Sequence, residues 1–161
     1  MTSNIGTWYF WFNIVCFILP LIILIIVIDR KRIFEICFYG YSVHILASRV
    51  DSFLESNNYL VHPHSLTYLL PSDVTVTSVV LPVSFIFIYQ YCTNQKKNFY
   101  FYALLLSLVI SYGLDSMFLA VGFLKLHQGM NLTYLCIINF AVACLAFWLT
   151  NLFRLLKNRG I

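Results

Sequence analysis

Apolar residues along this chain gather into five long runs, at 8–28, 33–54, 74–92, 99–124 and 132–153, separated by short polar breaks. A helix needs roughly 20 mostly apolar residues to cross about 30 Å of hydrocarbon, so each run predicts a transmembrane helix. The breaks carry the residues expected at helix ends. Asp29-Arg30-Lys31-Arg32 closes the first run, the segment from Thr93 to Asn98 with Lys96 and Lys97 separates the third from the fourth, and Lys125 to Asn131 separates the fourth from the fifth. Between the second and third runs, Glu55 to Asp73 reads ESNNYLVHPHSLTYLLPSD, and its Asn, Pro and Ser content predicts an exposed loop. Within it Leu66-Thr67-Tyr68-Leu69-Leu70 is too short to span and is expected to lie in the interface. Ser72 or Asp73 can cap the following helix through a side-chain oxygen. Pro20 predicts a kink in the first helix. Pro82, inside the third run, predicts a hinge whose released carbonyl Ser78 is placed to satisfy.

Composition and charge turn these runs into one architecture. With 61% hydrophobic and only 10% charged residues, the chain lies outside the range of soluble domains and reads as a single transmembrane domain over 1–161. The predicted fold class is all-α, a polytopic bundle of five membrane helices. Of ten basic residues, Arg30, Lys31, Arg32, Lys96, Lys97, Arg154, Lys157 and Arg159 fall on one side of it, Lys125 on the other and Arg49 within a span. Cytoplasmic loops carry such an excess of Lys and Arg, which predicts the N-terminus outside and the C-terminus inside. The same placement accounts for the formal charge of +4 without nucleic acid, which is excluded as a partner. The cluster Trp8-Tyr9-Phe10-Trp11-Phe12 is then an outer aromatic belt. Because the positive charges follow the first run and no small-residue cleavage site ends it, that run is expected to be retained, not removed as a signal peptide. The five cysteines fall singly in apolar stretches with no C-x-x-C, predicting buried, reduced thiols.

The second run is the least ordinary. It carries Glu35, His44, Arg49 and Asp51, with Glu55 just beyond, and ionisable groups in hydrocarbon face partners or water because leaving them unpaired is costly. Counted inward from the outer end of each predicted span, Asn13, Arg49, Asp51, Ser78, Asp115 and Asn139 reach similar depths of roughly 4–15 Å, an intramembrane polar layer. The small and polar stripes Ser107, Ser111, Asp115 and Gly122, and Cys136, Asn139, Ala143, Ala146 and Thr150, recur at helical spacing and are expected to face the bundle. Arg49 and Asp51 point to different faces, so their partners come from other helices, and Asp115 is the expected ion-pair partner of Arg49. The simpler alternatives are a packing tie that fixes helix register, or Arg49 snorkelling to the headgroups.

Candidate chemistry is sparse. His44, Asp51 and Glu55 share one stripe and form a possible proton relay, against the plainer reading of a hydrogen-bonded buried histidine. His62 and His64 with His127, Glu55 and Asp73 lack standard metal-ligand spacing, so no metal is expected. Asn131-Leu132-Thr133 abuts a span and carries no weight as a glycosylation acceptor. There is no nucleophile elbow, phosphate loop or H-E-x-x-H, so no catalytic residues and no cofactors are expected.

Pro71-Ser72-Asp73 leading into Leu81-Pro82-Val83 and Tyr89-Gln90-Tyr91, with Arg49-Val50-Asp51 upstream, resembles an uncharacterised family of small multi-pass membrane proteins of spore-forming Firmicutes. The resemblance implies a bacterial cell-membrane location and a helical fold, and no activity. The functional expectation is a non-enzymatic accessory or partner-binding subunit, in contact with the lipid bilayer and with a membrane-protein partner or further copies of itself. The alternative is a small transporter or ligand-binding channel using the outer polar layer and Pro82, and a third option is an enzyme pairing the Asp51 and Asp115 carboxylates.

Overall fold

The computed structural model describes residues 8–61, 79–122, 124–127 and 129–158. It is all-helical apart from one two-residue β pairing. Helix α1 covers Trp8–Val27 and contains Pro20. A 3-10 turn, Arg30–Arg32, capped by the Asp29 carboxylate accepting from the Lys31 amide, leads into α2, Ile33–Ser56. Helix α3, Leu81–Gln95, ends with Lys96 in the left-handed region at φ 51°, and Asn98 caps the first turn of the next helix. That helix, α4, runs Phe99–Val121 and includes a π-helical turn at Ile110–Asp115. Gly122 stops it at φ 86°, a conformation that glycine adopts without steric penalty. The last helix, α5, is Leu132–Asn158. Strand β1, Leu60–Val61, pairs antiparallel with β2, Lys125–Leu126, so the chain after α2 is tied to the α4–α5 connection.

Helices α2, α3, α4 and α5 pack each on two neighbours in that cyclic order, an up-and-down four-helix bundle, and α1 leans on α3. One end of the bundle gathers Arg30, Lys31, Arg32, Lys96, Lys97, Arg154 and Lys157 and is called here the basic end. The other is the hairpin end, where Leu54, Leu60, Phe118, Leu124 and Leu135 make a small core of their own. The main core joins Ile36, Tyr39 and Val43 of α2 to Phe85 and Tyr89 of α3, Phe99 and Ala103 of α4, and Ala143 and Ala146 of α5. Its centre is aromatic: Tyr39 stacks on Tyr89 at 4.4 Å, and Phe99 stacks on Phe147 at 4.2 Å.

The small-residue stripes face inward. Ser107 and Ser111 of α4, and Cys136, Ala143, Ala146 and Thr150 of α5, are all buried. The Ser42, Ser107 and Thr150 hydroxyls each donate to the carbonyl one turn back, at 2.8 Å, so these polar groups need no partner from another helix. Helices α2 and α3 approach closely at Gly40 on α2, where a Cβ would lie 2.2 Å from Cδ1 and 2.7 Å from Cγ1 of Ile86 on α3. Small residues permit such close backbone approach in helical bundles.

The outward faces are apolar. Ile25, Ile26, Phe34, Phe101, Val109, Ile137, Trp148 and Phe153 are all exposed, a lining suited to lipid. Phe99–Val121 and Leu132–Lys157 are long and apolar enough to cross a membrane. The other three helices do not meet that test over the described residues, for reasons visible in each. Helix α2 is 24 residues long but loaded with Glu35, Arg49, Asp51 and Glu55, the side chains of α1 are described in full only over Ile14–Val27, and α3 is described only from Leu81 onward. Pro82 is buried near the start of the described part of α3, directly after a π-helical Val79-Val80.

Candidate functional site

A highly connected polar group is Glu35, in the first turn of α2 at the basic end. The Arg32 guanidinium, one 3-10 turn earlier, donates to Glu35 Oε1 at 2.7 Å. The Tyr89 hydroxyl from α3 donates to the same oxygen. Arg154 Nη1 from α5 stands 3.9 Å from it. One carboxylate thus links three helices. Tyr89 is fully buried and packed on Tyr39, so its ring is held by the core while its hydroxyl reaches the charged layer. The hydrogen bond to Glu35 also holds the Arg32 guanidinium above its ordinary range, keeping it charged.

Around Glu35 runs a second ring of contacts. Arg32 Nη1 also donates to Asn94 Oδ1 at 2.9 Å. Gln90 clamps the end of α1: its amide nitrogen donates to the Val27 carbonyl and its oxygen accepts from the Asp29 amide, both at 3.0 Å. Lys97 donates to the Tyr91 hydroxyl at 2.6 Å and lies over the Tyr91 and Tyr102 rings at 4.8 and 5.7 Å. Hydrogen bonding to Tyr91, and then to Tyr102, raises the pKa of this exposed ammonium. Each member of Tyr89-Gln90-Tyr91 therefore holds a different part of the basic end.

An open cleft of about 380 Å³ lies beside this hub, between α2 and α5, lined by Phe34, Glu35, Phe38, Thr150, Phe153, Arg154 and Lys157. Phe38 and Phe153 meet edge to face at 5.0 Å and form its apolar wall. A second cleft of about 430 Å³, between α1 and α3, is lined by Ile23, Val27, Phe87, Gln90, Tyr91, Asn94 and Gln95, none of them charged.

Toward the other end lie the residues expected to form a polar layer. Asn139 Nδ2 reaches Ser111 Oγ at 3.4 Å, linking α5 to the π turn of α4, which also holds Asp115. Asp115 is half-buried. Asp51 and Glu55 are half-buried, and both engage other groups, as does Asp115. Asn13 falls in α1, and Ser78 lies outside the described residues, as do His62, His64 and Asp73.

Arg49 and Asp115 do not form the expected ion pair among the described residues. Arg49 is exposed, on the outward side of α2, where a long cationic side chain extends along the helix surface instead of entering the core. Arg49→Ala should accordingly change stability by less than about 0.5 kcal/mol in a detergent unfolding titration. A loss above about 2 kcal/mol would show that the arginine carries a buried contact.

His44 is half-buried, and its Nδ1 is sealed from solvent with no hydrogen-bond partner. Seven residues of helix separate it from Asp51, about 10 Å along the axis, so a relay between them requires an intervening hydroxyl or water. Half-buried Ser48 is the hydroxyl-bearing residue at that level of the stripe. No cluster of three metal-ligating side chains occurs among the described residues.

Sequence reading named Glu35 among the ionisable groups of the second run and did not include it in the polar layer. The available signal was its position three residues after Arg32, combined with the eight basic residues that the topology gathers at one end. What it lacked was Tyr89, whose approach depends on the packing of α3 against α2.

Comparisons with protein-family models, curated proteins and solved structures return no match.

Proposed function

We propose that this chain is a five-span protein of a bacterial cell membrane, N-terminus outside and C-terminus inside, that acts as a non-catalytic accessory subunit through a partner or through further copies of itself. The observation that supports the partner reading is the filled bundle centre. Among the described residues, Tyr39, Val43, Phe85, Tyr89, Ala103, Ser107, Ser111, Ala143 and Ala146 are all buried at the bundle centre, where a conduit would need a solvated path. The gathering of basic residues at one end supports the orientation, and the apolar outward faces support insertion. The resemblance to the small Firmicutes membrane proteins fits the same picture.

One observation favours the second reading, a small transporter or ligand-binding channel with a polar site near the outer leaflet: the partnerless His44 Nδ1 at mid-bundle. Topology and crosslinking test the proposal together. A reporter fused after Ile161 should be active in the cytoplasm and one in the loop around Ser65 outside, while crosslinking in native membranes followed by mass spectrometry should recover a defined partner or oligomer. The reverse reporter pattern would overturn the orientation. Recovery of monomer alone, with transport activity in liposomes, would select the second reading.

A further inference from the structure

We propose that the α2–α5 cleft at the basic end binds an anionic phospholipid, its phosphate held by Arg154 and Lys157 and its acyl chain lying along Phe34, Phe38 and Phe153. This rests on the reading of the chain as membrane-spanning. The cleft combines two chemistries that one lipid would satisfy. Arg154 and Lys157 are three apart on α5, so both project on the same helix face at the cleft. The lone carboxylate of the lining, Glu35, already accepts from Arg32 and Tyr89, whereas Arg154 stands at 3.9 Å from it with its side chain 47% exposed. Counting Arg32, three cations surround one acid, and the two on α5 are the more exposed. A guanidinium presents several donors in a plane, and beyond its long contact with Glu35 Arg154 keeps donors for a phosphodiester.

The wall supplies the rest. Phe34 is 89% exposed and Phe153 54% exposed, so apolar ring surface stands open beside the charges of the cleft. Thr150 adds no competing donor, because its hydroxyl is bonded to the Ala146 carbonyl. A free phosphate ion would use the cations and leave the phenylalanines idle, so an amphiphile is the better match. Basic sites between helices on the cytoplasmic side of a membrane favour anionic headgroups for this reason. The uncharged cleft between α1 and α3 serves as the internal comparison, since nothing in its lining distinguishes one headgroup from another.

The test uses the purified full-length protein in detergent. Phosphatidylglycerol or phosphatidylcholine, each with a photoactivatable acyl chain, is crosslinked, and the labelled peptides are identified by mass spectrometry. Phosphatidylglycerol should label the Phe34–Phe38 and Phe153 segments in preference to phosphatidylcholine, and the α1–α3 cleft should show no preference. Each cation removed should lower the preference by about five-fold, so Arg154→Gln with Lys157→Gln should abolish it, while Lys125→Gln at the hairpin end should leave it intact. Equal labelling by the two lipids in the unmodified protein would overturn the proposal whether or not the double variant folds. Displacement of the label by millimolar inorganic phosphate would show a generic anion site and overturn the lipid assignment. Because binding is read on the purified protein, a reporter pattern that refutes five spans leaves this measurement interpretable by itself.

Discussion

Replacing Glu35 with alanine should destabilise the bundle by about 2–4 kcal/mol, because it strands a buried tyrosine hydroxyl and a guanidinium at once. The Tyr89 ring cannot withdraw its hydroxyl to solvent, as it is packed between Tyr39, Phe99 and Phe147. Glu35→Gln, which keeps an acceptor and loses the charge, should cost less. The decisive comparison is a double-mutant cycle with Tyr89→Phe. Phenylalanine removes the stranded hydroxyl and preserves the stack, so the double variant should be more stable than the sum of the single losses by at least about 1 kcal/mol. Equilibrium unfolding in mixed micelles, titrated with a denaturing detergent, measures all four states. Additivity within about 0.5 kcal/mol would mean that the two residues do not communicate.

The second large effect is expected at Gly40. A methyl group there would lie 2.2 Å from the end of Ile86, which is itself buried and has little room to move. Gly40→Ala should therefore cost about 1–3 kcal/mol, and Gly40→Leu should prevent α2 and α3 from docking. Ile86→Ala opens the space that the new methyl needs. The pair Gly40→Ala and Ile86→Ala should accordingly be less destabilised than the sum of its members, by about 1 kcal/mol or more. The same unfolding titration reads the result, and a harmless Gly40→Ala would show that the helices stand farther apart.

Both effects concern contacts between helices, which is where sequence reading lost its hold. The all-helical class, the helix ends at Asp29 and Asn98, and most of the inward stripes of α4 and α5 follow from local chemistry and periodicity and could be read directly. Gly122, expected on the inward stripe of a span reaching position 124, instead ends the helix after Val121. Ser111 and Asn139, each read from sequence as a member of an inward stripe, meet between α4 and α5. Depth could not join Arg49 to Asp115, because equal height on two helices says nothing about which way each side chain turns. The π turn at Ile110–Asp115 compounds this. It bonds each amide one residue farther back, changing the rotation that four-residue spacing implies for everything after it. Glu35 was missed for the complementary reason: its importance comes from Tyr89, 54 residues away, and no periodicity within α2 reveals that.

The Gln90 clamp on Val27 and Asp29 has a consequence for the order in which the protein is made. The clamp is built from α3, yet it fastens α1, and all of α2 must be synthesised between them. Domains emerge from the ribosome N-terminal end first, so on the five-span reading α1 enters the bilayer well before its fastening exists. During that interval nothing but its own hydrocarbon-loving side chains and the cationic stop of Arg30, Lys31 and Arg32 holds it in place. Glutamine at position 90 then acts late, as a latch that converts an independently inserted helix into part of a finished assembly. A Gln90→Ala chain would insert normally and fail only at that closing step.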